Sequence, residues 1–206
     1  SSAASDVYKR QFLYRADRDS YDYVYSVDDL ADLKGRKFQK KRNHVNRFRA
    51  EHSQFELQNL TDGNFSAAQR MVGEWYRARM QADPTGDYMM ESIAMSRAFR
   101  HYEGLQMESA VLVENGEILA VTMGSRLWSD TFDIHFEKAR EDVDGAYAAV
   151  NCEFARYLRL KYPNLRYLNR EDDVGLAGLR KAKLSYNPHH MVEKSWAYLA
   201  EDFHGD

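Results

Sequence analysis

The chain is poor in the features that announce a special environment. It holds one cysteine, Cys152, so no internal disulfide can form. No window approaches 18 apolar residues, the length a membrane-crossing helix needs. No signal peptide is recognisable, and together these absences predict a reducing, cytoplasmic setting. The seven histidines lack ligand spacing, and His189 and His190 are adjacent, so in a strand they face opposite ways and predict no metal site. Internal repeats and low-complexity tracts are absent. Neither sign of charge dominates: the formal net charge is -3 over 206 residues, which makes no overall case for nucleic acid or a membrane surface. Cys152 sits within an apparent helix and reads as a packed small hydrophobe. What remains is the composition of a water-soluble globular protein, with 44% hydrophobic and 30% charged residues.

Local charge is uneven all the same. Between Asp17 and Asp32 stand six aspartates and one arginine, Arg18. Between Lys34 and Arg49 stand eight cations (Lys34, Arg36, Lys37, Lys40, Lys41, Arg42, Arg47 and Arg49) and no acid. Phe38, Val45 and Phe48 recur there at helical spacing, which predicts an amphipathic helix with one narrow apolar stripe. Asp28 or Asp29 is placed to cap it. The cations are a candidate phosphate-contacting surface, and the competing reading is a solvated helix balanced by the aspartates before it.

Further on, the pattern predicts a strand at 55–60, helices at 66–81 and 88–102, and strands at 110–114, 118–127 and 131–138. Asn115-Gly116 is the hairpin signal between the first two of those three strands. A helix at 145–161, a strand at 165–169, a glycine-containing helix and a last strand at 190–198 follow. Three meandering strands followed by βα units imply an α/β (α+β) fold, a mixed central sheet with helices on both faces. In the strand 131–138, period-two alternation puts Phe132, Ile134 and Phe136 on one face and Thr131, Asp133, His135 and Glu137 on the other. Gly175, Gly178 and Ala182 share a helix face, and such a stripe predicts close backbone approach. Segment 1–11 lacks an initiator methionine and any hydrophobic period. It reads as non-native, 12–50 as a candidate end of a truncated upstream lobe, and 51–206 as the main domain.

Four segments together carry a family resemblance: Tyr167 to Pro188 (YLNREDDVGLAGLRKAKLSYNP), Ile134 to Ala139 (IHFEKA), Gly145-Ala146-Tyr147, and Leu33 to Phe48. They resemble the bacterial family named for the C-terminal domain of phosphatidylglycerol lysyltransferase, over roughly residues 21 to 200. The resemblance implies the GNAT acyltransferase fold and kinship with enzymes that move amino acids from charged tRNA to lipids or cell-wall peptides. Aminoacyl-tRNA is then the expected donor, acyl-CoA the alternative, and a lipid head group or small amine the acceptor, with work at the inner membrane surface within reach. A non-catalytic module binding RNA or an anionic ligand is the reading from another class.

The resemblance also assigns roles. The strand of His135 and Glu137 borders the reacting centre, so either is a candidate base toward an acceptor amine. Lys183, with Lys181 second, stands where a cation lies near the reacting carbonyl and would stabilise the oxyanion. Asp133, Asn169, Arg170, Glu171 and Arg180 are candidate substrate-orienting groups. The Gly145 helix start matches the CoA pyrophosphate site of GNAT proteins. Glu141, Asp142 and Asp144 stand where that anion would go, with Asp144 read as the N-cap, and this argues against CoA.

Overall fold

The computed structural model describes residues 12–199; segment 1–11, read above as non-native, lies outside the described residues. The chain forms two compact units. The larger is Tyr25–Arg170. The smaller joins residues from both ends of the chain, 12–24 and 171–199.

The larger unit opens with a short helix, α1 (Val27–Asp32), capped by the Ser26 hydroxyl accepting from the Asp29 amide. Asp28 and Asp29 therefore belong to a helix of their own and do not cap the basic one. Leu33, at φ 51, ends α1, and a 3₁₀ turn at Arg36–Phe38 leads into α2 (Gln39–Glu51). Phe38, Val45 and Phe48 are all buried, as their spacing predicts. Then come β3 (Glu56–Asn59), α3 (Asp62–Ala82), α4 (Met89–His101), β4 (Glu108–Glu114), β5 (Glu117–Arg126) and β6 (Thr131–Ala139). α5 (Ala146–Lys161) and β7 (Tyr167–Asn169) complete the unit. The α3 start is fixed by Asn64, whose side-chain oxygen accepts from the Thr61 amide at 2.9 Å, a capping-box contact. Asn115 and Gly116 both have positive φ, as a two-residue hairpin turn requires.

The strands lie in the order β3-β4-β5-β6-β7, antiparallel up to β6, with β7 parallel to β6. One face carries Val111, Val113, Ile118, Val121 and Met123, packed with residues of α3 and α4. The other carries Leu112, Leu119, Ala120 and Ala139, packed with α5 and with Phe48 of α2. Helices therefore cover both faces of a mixed sheet.

Beside β5, β6 is not regular. Met123 stands opposite Phe136 and Gly124 opposite Ile134, so His135 is an extra residue, a β-bulge. An extra residue reverses the alternation, and the packing shows it. The Phe132 ring meets Phe154 of α5 at 6.0 Å, while Phe136 packs with the α3–α4 cluster. Phe132 and Phe136 therefore lie on opposite faces, against the period-two expectation. Gly124 sits at this point because a Cβ there would come within 2.2 Å of the Asp133 carbonyl oxygen and 2.5 Å of the Phe132 ring.

In the smaller unit β1 (Phe12–Ala16) pairs antiparallel with β9 (Ser195–Leu199). Residues Asp22–Val24 of β2 (Asp22–Ser26) pair antiparallel with β8 (His190–Val192). The single strand expected at 190–198 is thus two, with different partners. The glycine-containing helix, α6 (Ala177–Leu184), has no buried residue. Gly178 faces open space, and Gly175 lies before the helix at φ 76, where a Cβ would meet the Asp19 carboxylate at 2.9 Å. The small-residue stripe is therefore not a packing face; only Gly175 marks a close approach.

Candidate functional site

The bulge divides the polar groups of β6. On the side of Asp133, the Ser125 hydroxyl lies 2.8 Å from His135 Nε2, and His135 Nδ1 lies 3.9 Å from Asp133 Oδ2. Ser125 and Asp133 are register partners. The imidazole is 30% exposed, so a reactant can reach it. Ser125 carries no signal in the sequence, because only the pairing of β5 with β6 brings it to the histidine.

Glu137 belongs to a different group. Its carboxylate is 9% exposed and pairs with Arg170 at 2.7 Å. Asn151 of α5 lies against both; with its amide oxygen turned to Arg170 it accepts from Nε and Nη1 at 3.2 and 3.3 Å. The Arg170 guanidinium also stacks 5.8 Å from the buried Tyr25 ring. Burial, and secondarily the charge of Arg170, lower the pKa of Lys41 on α2. Sequence reasoning placed Glu137 and His135 together; the structure places Glu137 among buried partners with Arg170. Asn151 was missed, although a polar residue inside Ala148-Ala149-Val150-Asn151-Cys152 is the visible sign of one. Asn169 is buried beside Asp133 in the β6–β7 register.

At the α5 start the N-cap is Gly145, at φ 82, and not Asp144. Asp144 pairs with Arg47 at 2.8 Å, Glu141 pairs with Arg79, and Arg140 holds Asp142 at 2.6 Å. The hydrogen bond from Arg140 keeps the Asp142 carboxyl below the usual range. The three acids are thus each matched by arginine, so their charge is a weaker reason against an anion than it appears in sequence. Glycine stands at 145 because α2 backs the turn, with the His44 carbonyl oxygen 2.9 Å and Phe48 Cβ 3.1 Å from where a Cβ would stand.

The basic segment is partly matched by acids too. Lys34 pairs with Asp32 and Lys37 with Asp29, each at 2.9 Å, and Arg49 pairs with Glu153. Hydrogen bonds from Arg159 and Lys34 lower the Asp32 carboxyl to about 2. Arg42 donates to the carbonyls of Leu33 and Gly35 and so holds the turn before α2. Arg36 and Lys40 are exposed and have no acidic partner among the described residues.

In the smaller unit Asp173 is the hub. It is fully buried, and its carboxylate accepts from Arg180 Nε and Nη2 at 2.8 and 2.7 Å, from the Gly175 amide at 3.0 Å and from the Tyr23 hydroxyl. Arg180 also reaches Asp19 at 2.6 Å, and Arg18 Nη2 donates to the Tyr23 hydroxyl at 2.9 Å. The Arg180 hydrogen bonds hold the Asp173 carboxyl far below the usual range. Lys183 donates to the carbonyls of Glu171 and Asp172 and lies 5.8 Å from the Tyr23 ring. Lys181 is exposed. Arg180, read from sequence as substrate-orienting, is here the partner of Asp173.

The loop carrying Asp173 is strained. Glu171 and Val174 have φ 55 and 44, conformations that favour glycine. Val174 is β-branched yet 64% exposed, so its side chain contributes little packing. Val174→Gly should stabilise the chain by roughly 0.5–1 kcal/mol, the left-handed penalty less the extra freedom of an unfolded glycine. The check is a shift of the urea midpoint at unchanged slope; a downward shift would show that the valine side chain is a needed contact.

A mixed sheet between helices, with a bulged central strand carrying the polar groups, defines the class: an α/β domain. The family described as phosphatidylglycerol lysyltransferase, C-terminal, matches residues 1–198, and the chain belongs to it. A solved structure of a conserved protein of unknown function from Bacteroides thetaiotaomicron VPI-5482 is 39% identical, with a TM-score of 0.86 over 97% of this chain and 67% of that one. The structure of L-PGS from Bacillus licheniformis shares the fold at 15% identity, with a TM-score of 0.66 over 96% of this chain and 65% of that one. An uncharacterized protein of Mycoplasmoides gallisepticum (strain R(low / passage 15 / clone 2)) is 23% identical over 176 residues, 85% of this chain and 55% of its own length. The chain therefore spans about half the length of that curated relative. No helix among the described residues is long and apolar enough to cross a membrane.

Proposed function

We propose that the chain is the transfer module of an aminoacyltransferase, moving an aminoacyl group from aminoacyl-tRNA to a lipid head group or amine. The observation that carries the reading is His135: an accessible imidazole on the bulge, between the Ser125 hydroxyl and the Asp133 carboxylate. Histidine titrates near neutrality, so it can take a proton from an acceptor and return it to a leaving group. An aminoacyl ester is already activated, so the protein needs to supply mainly orientation and proton transfer. His135 fits the base better than Glu137, whose carboxylate is committed to Arg170. Arg36 and Lys40 are the cations best placed to meet tRNA phosphates, since both are exposed and unmatched by acid among the described residues.

The test follows label from tRNA charged with radioactive amino acids to vesicles containing phosphatidylglycerol, with acetyl-CoA as a separate donor arm. Transfer from charged tRNA is expected to fall with rising salt. Reversing Arg36 and Lys40 to glutamate should lower kcat/KM and reduce the log–log salt slope by about two phosphate contacts. Turnover with acetyl-CoA and none with any charged tRNA would overturn the reading. An unchanged salt slope in the double variant would remove tRNA from this surface.

A further inference from the structure

We propose that Ser125 is a nucleophile, activated by His135 and Asp133, and that the aminoacyl group rests on it as a seryl ester between donor and acceptor. The proposal rests on the acyl-transfer reading above and adds a covalent step to it. Three observations within the larger unit carry it. The Ser125 hydroxyl stands 2.8 Å from His135 Nε2, within reach for direct proton transfer. The other ring nitrogen, Nδ1, faces Asp133 Oδ2 at 3.9 Å. Third, Asp133 stands directly opposite Ser125 in the β5–β6 register, so hydroxyl and carboxylate flank the same ring. Hydroxyl, imidazole and carboxylate thus follow one another in the order that acyl-transfer triads use on unrelated folds.

The chemistry balances without any oxidant or metal. The Ser125 Oγ attacks the carbonyl carbon of the aminoacyl ester, and its proton passes to His135 Nε2. The bond from that carbon to the leaving oxygen breaks, and Nε2–H protonates the departing ribose hydroxyl. The acceptor amine or hydroxyl then attacks the seryl ester, giving its proton to Nε2. Ser125 Oγ departs and recovers that proton. While Nε2 holds the extra proton the imidazolium is positive, which draws Asp133 toward Nδ1–H and closes the 3.9 Å separation. Were Ser125 merely to orient the ring, no bond to it would form.

p-Nitrophenyl acetate separates the two cases, because it needs neither tRNA nor lipid. Mixed with the full chain, it should give a burst of about one p-nitrophenolate per chain, and peptide mass spectrometry should find a single acetyl group on Ser125. Ser125→Ala should abolish burst and adduct, and Ser125→Cys should restore both through a thioester. His135→Gln should slow acylation by about 10²–10⁴-fold. Absence of the adduct, its location on another residue, or a full burst in Ser125→Ala would overturn the proposal. The two readings fail separately. If Ser125→Ala forms no adduct yet transfers from charged tRNA at the unaltered rate, the nucleophile is wrong and the transferase stands. If the Ser125 adduct forms and no charged tRNA serves as donor, the nucleophile stands and the tRNA reading is wrong.

Discussion

Arg170→Ala is expected to destabilise the larger unit by about 3–5 kcal/mol, the cost of leaving one charge of a buried pair alone. The Glu137 and Arg170 side chains are 9% and 15% exposed, so water can offer only partial compensation. The same change removes the donors to Asn151 and the guanidinium beside Tyr25. The urea midpoint should fall with no change in slope. Glu137→Gln should cost much less, since its amide oxygen can still accept from Arg170. The double change Glu137→Gln with Arg170→Met should recover part of the Arg170→Ala loss, because no buried charge is then stranded. A loss under about 1 kcal/mol for Arg170→Ala, the level of an exposed pair, would mean that solvent reaches Glu137. These variants also separate stability from chemistry: if Glu137 acts through Arg170, Glu137→Gln should fold and keep transfer activity, whereas His135→Gln should fold and lose it.

Asp173→Ala is expected to cost a similar amount, about 3–5 kcal/mol, in the smaller unit. Its carboxylate is fully buried and serves Arg180, Tyr23 and the Gly175 amide at once. Truncation strands those donors and frees a loop whose Glu171 and Val174 are held at positive φ. The pH dependence follows from the direction of the Asp173 shift. Its folded pKa is depressed, chiefly by the Arg180 hydrogen bonds. The stabilisation is therefore complete above the unfolded aspartate value, near pH 4, and declines as the pH falls below it toward the folded value. Asp173→Asn should remove that acid limb, leaving a stability profile flatter below about pH 4 than that of the unaltered chain. Parallel acid limbs in the two proteins would assign acid sensitivity to other carboxylates.

Much of the larger unit is legible in sequence because its signals are local. Asn115-Gly116 marks its own turn, and Phe38, Val45 and Phe48 mark the buried stripe of α2 at helical spacing. β1 and β2 are not legible, since their partners β9 and β8 lie at the other end of the chain and neither strand alternates cleanly. The expected strand 190–198 is broken for the same reason: its two halves answer to different distant partners. In the candidate site, His135 and Asp133 are visible as members of the polar face of an alternating strand. Ser125 is not, because the pairing of two strands is a property of their register and leaves no local trace. Arg170 and Arg180 attract attention as charges near a motif, yet the sequence does not distinguish a cation that meets substrate from one that holds a buried carboxylate.

The smaller unit has a further consequence, one of timing. During synthesis the larger unit is complete in sequence once Arg170 has emerged, and most of its contacts, in hairpin and βα neighbours, can form as the chain lengthens. Residues 12–16 emerge first of the described chain, and β1 has no strand partner among the described residues until β9 follows. The first described residues to leave the ribosome are thus among the last to be secured, and a stalled or clipped chain lacking β9 would present β1 as an unpaired strand whatever the state of the larger unit.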